Sequence, residues 1–276
     1  MCYDPGAREH RSREDRERDR MAKLIAGNWK MNGLRADGVA LARRIAEWAR
    51  AERPHAGVAL FPPATILAPV AEVLAETEVA LGGQDCHSAA KGAHTGDISA
   101  AMLADLGCRY VIVGHSERRQ NHGETDEQVA AKAKAVHQSR LSAIICVGET
   151  GAERDRGEAL AVVERQLAGS IPAKSEASNT VIAYEPVWAI GTGKTASAAD
   201  VAEMHAAIRR HLAANVGNGD QVRILYGGSV KPDNAAELLA IENVDGALVG
   251  GASLDANAFI AIAKAAPRPS EKPEED

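Results

Sequence analysis

Reactive side chains recur directly after short apolar runs. Gly27-Asn28-Trp29-Lys30 follows Leu24–Ala26, and Gly114-His115-Ser116-Glu117-Arg118 follows Tyr110–Val113. Glu185 follows Val181–Tyr184 and opens Pro186-Val187-Trp188-Ala189-Ile190-Gly191-Thr192-Gly193-Lys194-Thr195. A lysine, a histidine and a glutamate gathered on one rim are the residue types of acid–base and charge-stabilising chemistry. Two glycine-rich turns complete the pattern: Gly227-Gly228-Ser229 after Val222–Tyr226, and Gly250-Gly251 after Ala247–Val249. They suit a phosphate held by backbone N–H groups, because glycine lets the backbone approach closely.

Each piece also has a plain reading. Lys30 alone is more often a solvated lysine, and His115 alone could cap a helix. A lone glutamate at a strand end is more often an ion-pair partner, and glycine pairs often make tight turns with no ligand. The joint pattern shifts the balance, provided that one fold brings the pieces together.

The elements that would do so are a repeat. Apolar runs recur at Leu24–Ala26, Val58–Phe61, Val79–Leu81, Tyr110–Val113, Ala143–Val147, Val181–Tyr184, Val222–Tyr226 and Ala247–Val249. Most are rich in Val and Ile, as parallel strands buried on both faces are. Segments of helical spacing lie between them, with stripes at Leu41, Ile45 and Trp48, at Leu160, Val163 and Leu167, and at Val201, Met204, Ile208 and Leu212. Thr125 with Gln128 and Ser197 with Asp200 fit capping boxes. Pro232 suits a first helical turn, and Gly107 a helix end. Strands alternating with helices in this number predict an α/β protein with a single (β/α)8 barrel. An open doubly wound sheet is the alternative, although no GxGxxG follows the first run. In a barrel the active site lies at the C-terminal ends of the strands, and the loops after strands seven and eight often bind phosphate. The segment Pro186–Thr195 has the makings of a lid, since an exposed Trp-Ala-Ile tip is costly unless it packs over something.

The ends differ from the middle. Residues 1–20 hold six arginines and six acids and little apolar surface, which predicts a disordered extension, unless translation begins at Met21. Residues 267–276 hold three prolines and four acids and read as a disordered acidic tail. The barrel is expected over residues 21–266.

Composition narrows the function classes. The net charge of −6 offers no basic field for nucleic acid, and aromatics at 3% are too few for base stacking. No apolar run approaches the ~20 residues that cross a bilayer, so no membrane association is expected. Cys2, Cys86, Cys108 and Cys146 lack CxxC spacing and read as the reduced thiols of a cytoplasmic protein. None of the nine histidines falls in an HxH or HExxH arrangement, so no metal site is expected. His205 and His211 read as packing or surface residues.

Four ordered motifs then carry a resemblance. Asn28-Trp29-Lys30-Met31-Asn32, Gly114-His115-Ser116-Glu117-Arg118-Arg119, Ala183 to Gly193, and Tyr226-Gly227-Gly228-Ser229-Val230 are similar to those of the triosephosphate isomerases, over about Met21 to Ala266. The resemblance implies a TIM barrel that interconverts dihydroxyacetone phosphate and D-glyceraldehyde 3-phosphate through an enediolate, in glycolysis and gluconeogenesis, with no cofactor. It implies that Glu185 is the base, that His115 polarises the carbonyl as a neutral imidazole, and that Lys30 offsets negative charge; this account is the family's own. Asn28 would shape the pocket, while Gly191, Ser229, Gly250 and Gly251 would hold the phosphate. Ser116 and Glu117 would support the site, Glu117 from close to Lys30. Tyr226 and Ser229 would bond the closed lid.

The resemblance also implies a homodimer through the loop 83–97, with Thr95 reaching the partner's Lys30 region. This sequence departs from the family there. His94 stands where Phe or Tyr is common, Asp97 where Glu is, and Ser88 where Trp is often found. A cross-subunit pair between Asp97 and Arg118 would be longer or water-bridged. Cys86, in the same loop, reads as a small buried apolar residue more readily than as an interface thiol. Two further readings have less support. Another phosphate-binding barrel, such as a sugar-phosphate epimerase or an indole-pathway enzyme, would not need Lys30, His115, Glu185 and a lid together. A catalytically silent barrel would have lost one of the three.

Overall fold

The computed structural model describes residues 22–190 and 196–268. Eight strands close into a barrel in chain order: β1 (Leu24–Asn28), β2 (Gly57–Phe61), β3 (Ala80–Gly83), β4 (Tyr110–Val113), β5 (Ser142–Val147), β6 (Thr180–Tyr184), β7 (Arg223–Tyr226) and β8 (Gly246–Val249). Every pairing is parallel, and β8 closes on β1 with Leu24 opposite Gly246. The architecture is the expected (β/α)8 barrel and not an open sheet.

Side chains alternate across the strands and divide the core into two layers. Leu24, Ala26, Phe61, Tyr110, Ile112, Ile144, Cys146, Leu225 and Leu248 fill one cluster within the barrel. Ile25, Leu60, Val111, Val113, Ile145 and Ile182 join the other, which packs under the surrounding helices. The third strand runs one residue later than its apolar run and ends on Gly82 and Gly83. Phe61 explains the glycine, since a Cβ on Gly82 would lie 2.2 Å from the Phe61 ring.

The helices that matter for the site are α1 (Arg35–Glu52), α2 (Leu67–Leu74), α3 (Ala100–Asp105), α4 (Ser116–His122), α5 (Asp126–Gln138), α6 (Gly151–Asp155), α7 (Ala159–Ser170), α8 (Ala198–Asn215), α9 (Ala235–Ala240) and α10 (Ala256–Lys264). Both expected capping boxes form, Thr125 with Gln128 on α5 and Ser197 with Asp200 on α8. A further one, Thr150 with Glu153, starts α6. Gly107 follows α3 at φ +82°, as a helix end requires. The α8 stripe is buried as read. On α7 the buried face is Val162, Val163, Gln166 and Leu167, and Leu160 is exposed instead. Pro232 lies in the turn before α9 and not in its first helical turn. Among the described residues no helix is long and apolar enough to cross a membrane.

Cys86, Cys108 and Cys146 are buried, and burial pushes the Cys86 thiol up to about 12. His205 on α8 is wholly buried, its Nδ1 2.9 Å from the Asn243 carbonyl and its ring edge-on to Tyr184. Burial holds its pKa down at about 4. An unfolded histidine titrates near ~6.5, so the unfolded chain takes up a proton that the folded one refuses. The resulting stability is complete above about pH 6.5 and is lost as pH falls toward 4, by about 3 kcal/mol over the whole window. The urea midpoint is therefore expected to fall between pH 7 and pH 5, and to fall less in His205→Asn. An equal fall in that variant would remove His205 as the cause.

Candidate active site

Glu185 leaves the end of β6 with its side chain 2% exposed. It sits there because β7 turns away on glycine: a Cβ on Gly227 would lie 2.9 Å from Glu185 Cγ. Its Oε1 is 2.9 Å from His115 Nε2, and its Oε2 accepts the Ser116 N–H at 2.8 Å. Ser116 begins α4, so the helix N-terminus favours the carboxylate. His115 is the N-cap of that helix, and its Nδ1 accepts the Glu117 N–H at 3.2 Å. A nitrogen that accepts an amide proton carries none itself. The imidazole therefore bears its hydrogen on Nε2, facing Glu185.

Lys30 follows β1 at φ +53°, a left-handed conformation unusual for a side chain of this size. Three groups hold it there. The Asn28 Oδ1 accepts the Lys30 N–H at 3.0 Å, and Gln84 Nε2 donates to both Lys30 O and Phe61 O at 2.8 Å. The Lys30 ammonium reaches Glu117 Oε1 at 2.7 Å. Backbone strain of this kind collects at functional positions.

The charges are coupled. Burial works to raise the Glu185 pKa, but His115, the Ser116 N–H and Lys30 outweigh it and hold the carboxyl below its ordinary value. Burial works to lower His115, and here the facing Glu185 carboxylate outweighs it and raises the imidazole, with Lys30 opposing.

These side chains line a cleft of about 460 Å³ together with Asn28, Ser229, Gly250 and Gly251. A Cβ on Gly251 would meet nothing within 4 Å, so the space beside it is open. Gly191 lies outside the described residues, as does the rest of the expected lid to Thr195. The segment before it does not stand free. Ala189 is buried, and Trp188 donates its Nε1–H to Glu149 Oε1 at 2.8 Å under the Arg154 guanidinium. Tyr226 is buried next to Gly228, where a Cβ would lie 2.2 Å from its hydroxyl oxygen. Thr95 is exposed, within an exposed stretch from Lys91 to Asp97. His94 stacks on His87 with ring centroids 3.9 Å apart, and Asp97 lies 3.9 Å from His87. Arg118 is engaged within its own chain by Asp85 and Glu124. Cys86 is buried, as the simpler reading of it expects.

Sequence reasoning missed the residues behind the site. Glu149 is fully buried and also accepts the Tyr184 hydroxyl at 3.1 Å. Gly148-Glu149-Thr150 follows Val147, so the rule that picked the other rim residues would have found it. Gly82-Gly83-Gln84 likewise follows Leu81, so the same rule would have found Gln84. Gln166 carries no such signal, because a lone glutamine on a helix resembles a surface residue.

With this geometry in view, the chain can be set beside known proteins. The triosephosphate isomerase family model matches residues 23–266. A triosephosphate isomerase of Afipia carboxidovorans is 56% identical over 249 residues, covering 88% of this chain and 97% of that protein. One of Xanthobacter flavus is 57% identical over 243 residues, covering 88% and 96%. The crystal structure of triosephosphate isomerase from Bartonella henselae superposes with a TM-score of 0.81 at 46% identity, covering 88% of this chain and 98% of that one. The matched length, the identity and the shared barrel together place the chain in the triosephosphate isomerase family.

Proposed function

We propose that Glu185, His115 and Lys30 perform the reaction of this family, the interconversion of dihydroxyacetone phosphate and D-glyceraldehyde 3-phosphate. The observation that carries the assignment is a buried carboxylate beside an imidazole and an ammonium at the mouth of one cleft. Glu185 removes a proton from the carbon next to the carbonyl and returns it to the neighbouring carbon. Nε2–H of His115 donates to the substrate oxygens and relays a proton between them. Lys30 offsets the negative charge of the enediolate and the phosphate. Once Glu185 turns from His115 to the substrate carbon, the larger of the two influences raising the imidazole pKa is withdrawn and only Glu117 still raises it. Burial and Lys30 then act against Glu117 and favour the neutral form, the state suited to donating without becoming charged. Ser229, Gly250 and Gly251 supply the phosphate site through backbone N–H groups. A coupled assay with glyceraldehyde 3-phosphate tests this, and the purified chain is expected to turn it over with no added metal or cofactor. An inert chain would favour the silent barrel.

Two copies associate through the loop 83–97. Met31, Leu34 and Met102 are 94%, 77% and 56% exposed, apolar side chains that a partner would cover. Thr95 then reaches the partner's Lys30 region. Light scattering is expected to give twice the chain mass at micromolar concentration, and a single-chain mass would exclude this arrangement. The buried reduced thiols suit a cytoplasmic setting.

A further inference from the structure

The position of Glu185 is set by the strand beside it. The parallel ladder between β5 and β6 runs on past both strand ends, with Glu185 N–H donating to Val147 O at 2.8 Å and Val187 N–H to Glu149 O at 3.1 Å. In such a ladder the residue between the two acceptors turns its own N–H and C=O to the opposite side. Here that residue is Gly148, and the opposite side is where β4 would lie. But β4 ends at Val113, paired with Ile145, so no strand remains to receive the Gly148 peptide groups. Gln166, buried on α7, receives them both. Its Oε1 accepts the Gly148 N–H at 2.7 Å and its Nε2 donates to Gly148 O at 3.1 Å. One side-chain amide replaces a missing strand residue.

We propose that Gln166 is the positioning residue for the base: by clamping Gly148 it fixes the backbone from which Glu185 reaches the substrate. The inference rests on the reading of Glu185 as the base. Transmission is by contact, since a Cβ on Gly148 would lie 1.7 Å from Glu185 O. A cavity of about 100 Å³ adjoins the clamp, lined by Gln166, Gly148, Cys146, Val187 and Glu185 itself. Without the clamp, the Gly148 peptide is free to relax toward that space and take the base with it.

Two variants test this. Gln166→Met keeps the length and removes both hydrogen bonds. Its kcat is expected to fall roughly tenfold to hundredfold, the effect of a displacement of up to about 1 Å, with KM within about threefold. Its substrate deuterium isotope effect is expected to rise, as proton removal becomes more rate-limiting. Gln166→Glu separates positioning from packing. A neutral carboxyl reproduces both bonds, its C=O accepting from Gly148 N–H and its O–H donating to Gly148 O. A carboxylate has no donor. The activity of Gln166→Glu relative to wild type, measured from pH 5 to pH 9, is therefore expected to fall with rising pH toward that of Gln166→Met. Wild-type kcat in Gln166→Met overturns the proposal. If that variant does not fold, a ratio for Gln166→Glu that does not fall with pH overturns it alone. An inert wild type, or a fully active Glu185→Asp, instead removes the reading of the base on which the proposal stands.

Discussion

Replacing Glu185 by aspartate is expected to lower kcat by roughly 10²- to 10³-fold while the barrel stays folded. A positioned general base contributes on the order of 10²–10⁴-fold, and a displacement of about 1 Å from the productive geometry costs on the order of 10². Aspartate keeps the charge and shortens the reach by one methylene, so the loss reads position and not acidity. The carboxylate in place is held by the Ser116 N–H at 2.8 Å and stands 2.9 Å from His115 Nε2. A shorter side chain cannot keep these contacts and also reach a substrate carbon in the cleft. KM is expected to change little, because the proposed phosphate contacts of Ser229, Gly250 and Gly251 come from the loops after β7 and β8 and do not involve Glu185. Steady-state kinetics with a thermal melt check this, and a variant with wild-type kcat would refute the role of Glu185.

Gly148→Ala is expected to damage stability and catalysis together. The added Cβ would lie 1.7 Å from Glu185 O and 2.6 Å from Glu185 C, and both are backbone atoms that no rotamer change can clear. Gly148 is absent from the positive-φ positions, so the conflict is one of space and not of conformation. The ends of β5 and β6 must part, which costs about 3 kcal/mol by analogy with overpacked cores. The same movement carries the base away from its place and lowers kcat by roughly 10²-fold in the folded fraction. Urea unfolding and active-fraction kinetics measure the two effects. Loss of stability with kcat intact would show that the base is positioned independently of Gly148.

Much of this site is legible in the sequence because a parallel barrel imposes a simple rule. Residues that follow apolar runs emerge on one rim, and Asn28, Lys30, His115, Glu185, Ser229, Gly250 and Gly251 do line one cleft. The stripe of α8 is equally plain, since each of its apolar positions is buried. The third strand is less so, because it ends on two glycines that signal nothing apolar, and their reasons are side chains of other elements, Phe61 of β2 against Gly82 and Leu103 of α3 against Gly83. Leu160 misled because helical spacing alone does not say which side faces the barrel, and the buried face includes the polar Gln166. Gln84 shares the rim position of the others, but its partners, like those of Gln166, were illegible for a common reason. Each bonds to backbone groups distant in sequence, at Lys30, Phe61 and Gly148, and only the closed barrel brings these within reach. The left-handed backbone of Lys30 is likewise a property of the fold around it and not of its residue type.

The central claim is that one carboxylate carries a proton between neighbouring carbons through an enediolate. A proton resting on Glu185 can exchange with solvent before it returns, whereas a hydride moving directly between the carbons cannot. Dihydroxyacetone phosphate converted in D₂O, with the product trapped as it forms and examined by NMR, is therefore predicted to carry deuterium on the carbon next to the aldehyde. Product free of deuterium at that carbon, formed at the normal rate, would contradict the account.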